Sequence, residues 1–244
     1  MVPPERRLVG DLCRLARRYP LYPLERTFHL PELTALRERT VPRISWAVLF
    51  LKAYALLSAD EPRLRQVVMP WPWPHLYEHP HSVGMLAVHR EEQGVDRLCW
   101  GRFVEPEHRS LLDLQAELVR YKTEPVDEIF RRQVRMSRCP GAVRWLGWHL
   151  SLDFSGTKRA RRVGTFGMST LAGQGSINRY HPCLTSSLTY GPTDAQGRVV
   201  VTIVFDHRLI DGAPLAAALA HLEEIMQGPL TRELVELLRQ SHAA

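Results

Sequence analysis

RVVVTIVFD, residues 198–206, runs directly into HRLIDG, residues 207–212, and then into APLAAALAHLEEIM, residues 213–226. The first segment is a nearly continuous run of apolar, mostly β-branched residues and reads as a strand. The last has apolar residues at helical spacing with Pro214 in its first turn, and Gly228-Pro229 follow as a stop signal. Between them His207 sits at a strand end on a tight loop, where a side chain is held rigidly and still faces a cavity. Imidazole titrates near neutrality and can take a proton from a thiol or hydroxyl, so His207 is a candidate general base. The HxxxDG spacing alone leaves a second reading open, in which His207 is an ordinary strand-end histidine and Asp211 caps the helix that follows.

Working outward, GTFGMSTL from Gly164 and CLTSSLTYG from Cys183 read as two more strands, with a turn signal over residues 194–197 before the strand that ends in Asp206. VGMLAV, residues 83–88, reads as a buried strand, and residues 69–82, rich in proline and aromatic side chains, as irregular or short-stranded. Helices are predicted over the first turns of the chain, with Leu8, Leu12 and Leu15 on one face, up to a stop at Pro20 and Pro23. Others are predicted at residues 33–37, 45–57 (apolar almost all round) and 111–121. Strands and helices are interspersed without repeats or long linkers. The expectation is one α+β domain, residues 1–244, built as a two-layer sandwich with a mixed central sheet flanked by helices.

With 244 residues, 45% apolar and 24% charged, the chain has the composition of an ordinary globular domain with one core. Its formal charge of +6 favours anionic partners. The densest basic run, KRARR at residues 158–162, carries no aromatic side chain for stacking a base, so nucleic acid is not expected as a partner. Cys13, Cys99, Cys139 and Cys183 form no CxxC pair, and no apolar run is long enough for a leader or a membrane span; a cytoplasmic location is expected. His75, Glu78, His79, His81 and His89 crowd one region, but Pro74 and Pro80 interrupt any helical face and no tetrahedral set is fixed, so no metal is expected. The phosphate loop GxxxxGK[ST], the dinucleotide GxGxxG and the GxSxG elbow are all missing.

The stretch VTIVFDHRLIDGAPLAAALAHLEEIM resembles the carboxy-terminal signature of the dihydrolipoamide acyltransferases of 2-oxoacid dehydrogenase complexes, which share the chloramphenicol acetyltransferase-like fold. Asp206 favours this branch, because peptide-synthetase condensation domains with the same HxxxDG core usually carry a second histidine there. GTFGMSTLAGQG, residues 164–175, resembles the family's GTFTISNLGxxG segment and places Ser169 on its hydroxyl position. HPCLTSSLTYG and PRISWAVLFLKAYALLSADEPRLR resemble, more weakly, a buried strand and the long buried helix.

The resemblance implies an acyltransferase in which His207 is the general base, Ser169 donates to the oxyanion and Asp211 braces the loop through an arginine, Arg7 being the first choice. Thr170 and Gly212 would line the substrate site. It also implies a homotrimer with sites between subunits. The missing lipoyl and subunit-binding segments point to a free-standing enzyme taking acyl groups from acyl-CoA or an acylated carrier protein. Coenzyme A or phosphopantetheine would then be the carrier of the acyl group, with small-molecule donor and acceptor. Trp145 and Trp148, with Leu146 and Leu150, are candidates for an acyl tunnel, the plainer reading being a core helix. Lys158, Arg159, Arg161 and Arg162 are candidates for the carrier's phosphates. The family's Asn-Leu-Gly turn is replaced by Thr170-Leu171-Ala172. A rival reading from another class is a non-catalytic trimeric scaffold or binding protein on the same fold.

Overall fold

From Val201 onward every residue of β8 (Arg198–Asp206) is buried, as a strand between two covered faces requires. β8 pairs antiparallel with β1 (Leu21–His29) on one side and with β7 (Ser186–Tyr190) on the other. Next comes β6 (Phe166–Met168), parallel both to β7 and to β4 (Val83–Glu92), and β5 (Val95–Val104) closes the far edge. The six-stranded mixed sheet has the order β1-β8-β7-β6-β4-β5, and β2 (Gln66–Met69) and β3 (His75–Glu78) form a separate ribbon. The computed structural model describes residues 2–178 and 184–243, so the start of the expected strand at Cys183 lies outside the described residues.

Alternate residues on one side of the sheet, among them Leu86, Phe103, Leu188, Val201 and Ile203, enter one large core. That core is completed by α3 (Trp46–Asp60), α4 (Leu111–Thr123), α9 (Gly212–Ile225) and α10 (Thr231–Ala243). On the other side, α1 (Pro4–Ala16) packs on β5 and α8 (Gly156–Val163) on β4. The sheet is therefore mixed and flanked by helices, as the sequence predicts. α2 (Pro31–Arg39) lies against α10. The segment between α4 and β6 folds into four helices: α5 (Val126–Ile129), α6 (Arg131–Arg138), α7 (Gly141–Leu152) and α8.

Two elements depart from the sequence reading. Pro20 and Pro23 do not end ordered structure: they lead into and sit within β1, whose burial is confined to Phe28. β1 is an edge strand, where a proline removes no ladder bond that the sheet needs. Gly228-Pro229 do not end the last helix either. Residues 226–230 widen into a π-type turn that accommodates the missing proline N–H, and α10 continues beyond it.

The buried Lys52 ammonium of α3 meets Glu233 of α10 at 2.6 Å, and the same carboxylate accepts the Leu111 N–H at the start of α4 at 3.0 Å. One carboxylate thus ties three helices of the core layer. Removing it leaves a buried cation and a backbone donor unpaired, which costs about 3 kcal/mol. Glu233→Ala is expected to lower the urea midpoint accordingly at fixed protein concentration, and Lys52→Met combined with Glu233→Leu to recover much of the loss. An unchanged midpoint for Glu233→Ala would refute the role given to this pair.

Candidate active site

His207 directly follows β8. Its N–H donates to the Pro20 carbonyl at 3.2 Å, which ties the loop to the chain entering β1. The imidazole stands edge-on to Tyr22, ring centroids 5.0 Å apart, and 5.6 Å from Phe205. The side chain is about half exposed, at 44%, and Nδ1 lies 3.4 Å from Asp211 Oδ1. At this separation the contact is an ion-pair-range approach rather than a hydrogen bond. Nε2 has no partner among the described residues. The arrangement orients the ring with Nδ1 toward the carboxylate and leaves Nε2 open to accept a proton.

Asp211 takes the N-cap position of α9, yet its side chain makes no capping hydrogen bond. It is also 81% exposed. The expected brace through Arg7 is not made within the chain: the Arg7 guanidinium donates instead to the Val2 carbonyl at 3.1 Å and the Ser137 carbonyl at 3.5 Å. The reason is position, since α1 carries Arg7 against α6. What holds the loop is Asp206, a residue the sequence reading used only to choose between families. Its buried carboxylate accepts from the Arg208 backbone at 3.1 Å and from Nε at 2.9 Å, and the Arg208 guanidinium lies over the Tyr19 ring at 5.4 Å. Hydrogen bonding to Asp206 holds Arg208 above the ordinary arginine range, against the effect of burial. A buried aspartate at a strand end two residues before an arginine was the available signal.

Ser169 follows β6 at the opposite end of the sheet. Its N–H donates to the Leu188 carbonyl at 3.3 Å, and its Oγ accepts from Asn178 Nδ2 at 3.0 Å, so the hydroxyl proton has no acceptor among the described residues. Thr170 is engaged in the turn that follows, its hydroxyl donating to the Tyr190 carbonyl and accepting the Ala172 N–H, both at 3.1 Å. The pairings Met168↔Leu188 and Leu188↔Ile203 put Ser169 level with Thr202. That is five residues before His207, about 16 Å along the strand direction, and two strands across. Within one chain the two side chains cannot meet at a single carbonyl. Gly212 opens α9, and a Cβ there would meet nothing within 4 Å.

A cleft of about 340 Å³ lies between α1, α5 to α8 and the β4–β5 edge, and Leu184 forms part of its wall. The Asp206 N–H donates to the Thr185 carbonyl, which extends the β7–β8 register and brings Leu184 level with His207. The cleft thus reaches the sheet end that carries the histidine. Trp100, Phe130 and Trp148 give it an apolar wall; Arg102, Arg132, Arg161 and Arg162 give it charge. None of these four arginines has a carboxylate partner among the described residues. Loss of water in the cleft, then the nearby Arg162 and Arg102, hold Arg132 below the ordinary arginine range.

The tunnel and phosphate residues expected from sequence are therefore divided. Trp148 lines the cleft and donates to Asp11 at 3.3 Å, whereas Trp145, Leu146 and Leu150 face outward, with the Trp145 ring tilted against His149, centroids 4.2 Å apart. α7 does not bury the tunnel residues: its buried positions are Arg144, Ser151 and Leu152, and Arg144 pairs with Asp11 at 2.8 Å. Burial alone would raise the Asp11 carboxyl, but hydrogen bonds from Arg144, Arg14 and Trp148 hold it below the usual range. Of the basic run, Arg161 and Arg162 reach the cleft and Lys158 faces solvent. Arg159 is buried and is spent on the fold, donating to the Tyr19 hydroxyl at 3.2 Å and the Leu152 carbonyl at 3.1 Å.

No model of a protein family matches the chain, and no curated protein matches it in sequence. Solved structures do. The cubic core of the pyruvate dehydrogenase multienzyme complex superposes with a TM-score of 0.70 at 18% identity, covering 96% of this chain and 93% of that one. The dihydrolipoamide acetyltransferase of Azotobacter vinelandii, studied for the catalytic role of a serine, a histidine and an asparagine, gives 0.70 at 17% identity over 96% and 93%. Chloramphenicol acetyltransferase gives 0.52 at 12% identity over 92% and 98%. The chain thus carries the chloramphenicol acetyltransferase-like fold, the fold of the catalytic cores of dihydrolipoamide acyltransferases.

Proposed function

We propose that this protein is an acyltransferase that moves an acyl group from a thioester to a thiol or hydroxyl acceptor. The observation that carries the reading is the strand-end imidazole, with Nδ1 toward Asp211 and Nε2 open. Nε2 takes the proton of the acceptor as its sulfur or oxygen attacks the thioester carbonyl, and a tetrahedral oxyanion forms. Collapse breaks the carbon–sulfur bond and expels the thiolate, which the imidazolium reprotonates. Ser169, whose hydroxyl proton is uncommitted, supplies the oxyanion's hydrogen bond. In the Azotobacter structure the histidine and the asparagine studied are four positions apart, the spacing of His207 and Asp211 here, which supports assigning Asp211 to the site.

Because Ser169 and His207 stand at opposite ends of the sheet, this chemistry needs a serine from another copy, in keeping with a homotrimer whose sites lie between subunits. The donor is acyl-CoA or an acylated carrier protein. Arg161 and Arg162, joined by Arg102 and Arg132, fit its anionic part, while Trp148 and Trp100 offer apolar surface beside it. Trp145, Lys158 and Arg159 have no part in this cleft.

His207→Ala is expected to remove nearly all thioester turnover while leaving the melting temperature and oligomer size at wild-type values; an unchanged rate with a competent thioester sinks the assignment. For Asp211→Ala the exposed position predicts retained stability and a rate lower by roughly tenfold, the loss of a contact that orients the ring. A destabilised Asp211→Ala protein with normal turnover per folded molecule would point instead to a structural brace.

Co-expression of His207→Ala and Ser169→Ala chains tests the shared site. In randomly assembled cyclic trimers a site is whole only when its histidine comes from the serine variant and its serine from the histidine variant. Activity should then return to about a quarter of wild type. Verified mixed trimers no more active than the separate variants would refute a serine and histidine drawn from different subunits.

A further inference from the structure

The open end of the β4–β5 hairpin, at the same end of the sheet as His207 but across it, gathers a different set of side chains. The Glu105 N–H donates to the Ser82 carbonyl at 2.9 Å just beyond the last strand pair, Val83↔Val104, and Glu105 itself takes a left-handed conformation, φ 51°. A non-glycine residue there is strained, and the turn it makes swings residues 106–108 back over Ser82. Glu107 Oε1 accepts the Ser82 N–H at 2.8 Å. As a result one ligand atom each of His81, Glu107 and His108 lies within 4.8 Å of the others. Of the histidines that crowd this region in the sequence, only His81 belongs to the group. His75 bonds the Trp73 carbonyl and His89 pairs with Asp96.

Two buried polar atoms at this turn have no hydrogen-bond partner: Glu107 Oε2 and Ser82 Oγ. Ser82 is fully buried, and no cationic side chain pairs with Glu107 among the described residues. A carboxylate oxygen withdrawn from water without a donor or cation is costly, and native proteins rarely leave one so. We propose that His81, Glu107 and His108 bind a divalent transition-metal ion of the zinc class, through three protein ligands with a fourth position open to solvent.

The chemistry of the donors selects the ion. Two imidazoles and one carboxylate suit zinc and its neighbours and are poor ligands for magnesium or calcium. Tetrahedral zinc, with bonds of about 2.0 to 2.1 Å, needs its ligand atoms about 3.3 Å apart. Both histidines are exposed, so small rotations of their rings close the remaining gap. The carboxylate is already fixed by the Ser82 N–H. Behind the site, buried His79 sits with Nδ1 2.7 Å from the His81 carbonyl and 3.4 Å from its nitrogen, holding the ligand's backbone in place. In sheet order the hairpin lies three to four strands from β8, about 14 to 19 Å across. The ion is thus separate from the acyl-transfer site and is assayed without it.

The test is titration of chelator-stripped protein with Zn²⁺ by calorimetry, paired with the visible absorption of Co²⁺ in place of zinc. Wild type should take up one Zn²⁺ per chain, give the intense absorption of four-coordinate Co²⁺, and bind no Mg²⁺ at this site. His81→Ala and His108→Ala should each weaken Zn²⁺ binding by about tenfold or more, by analogy with the losses seen even for supporting residues. His89→Ala should leave it unchanged. Glu107→Gln removes the carboxylate charge and should weaken binding as well. Because His81 and His108 are exposed, their variants keep the fold, verified by circular dichroism, and they decide the question. Absence of Zn²⁺ uptake by wild type overturns the proposal. So does uptake that survives in the His81→Ala/His108→Ala double variant, since scattered surface histidines would then account for it.

Discussion

The antiparallel pairing of β7 with β8 and its parallel pairing with β6 set the terms for everything else in this protein. Strand direction decides which end of the sheet each loop occupies. His207 leaves β8 at one end and Ser169 leaves β6 at the other, and no side-chain rotation bridges two strands and five residues of rise. Register in a buried sheet is strongly specified, because a slip of one residue would turn Val201, Ile203 and Phe205 out of the core and Thr202 and Val204 into it. The same apolar face that stabilises the fold therefore fixes the distance between the two groups. A site that uses both must be built by association, which makes the proposed chemistry and the proposed assembly one hypothesis.

Around the histidine, rigidity comes from ties to the backbone and to neighbouring rings rather than from depth. The Pro20 carbonyl holds the His207 N–H, Tyr22 and Phe205 flank the ring, and Asp206 clamps Arg208. Arginine is used in this way throughout. Arg144 on Asp11, Arg159 on Tyr19 and Arg208 on Asp206 are internal fasteners, so part of the positive charge that the composition shows is spent inside the fold. Four arginines without a carboxylate partner among the described residues, Arg102, Arg132, Arg161 and Arg162, gather in the cleft beside Trp148.

How far the sequence can be read follows from where the information lies. The strand ending in Asp206, the loop with His207 and helix α9 were legible because each is a contiguous pattern: an apolar run, a loop signature, a helical period. α3, apolar on all sides, was legible for the same reason. β5 was not, because an edge strand such as VDRLCWGRFV mixes arginine and glycine into its alternation, and its hairpin turn is Gln93-Gly94, both at positive φ (54° and 71°). The run KRARR looked like one basic patch. A helix turns each successive residue by 100°, so α8 buries Arg159 and sends Arg161 and Arg162 to the cleft. Arg102 and Arg132 could not have been joined to that cleft from sequence, since only the packing of β5 against α6 and α8 brings them near. The grouping of His81 with Glu107 and His108 was hidden likewise, by the length of a hairpin.

Among the described residues, the pairing of β1 with β8 joins the first strand of the chain to the last. During synthesis β1 leaves the ribosome long before its partner exists, and the interior strand β8 is made only after α3 and α4 and before α9 and α10, the other helices of the core layer. Assembly of the sheet therefore has to wait for the carboxy-terminal quarter of the chain, with a high entropic cost of closure and a long interval of exposure. The character of β1 suits that interval. Its proline and its charged Glu25 and Arg26 make a poor template for a stray strand, so the edge stays soluble while it waits.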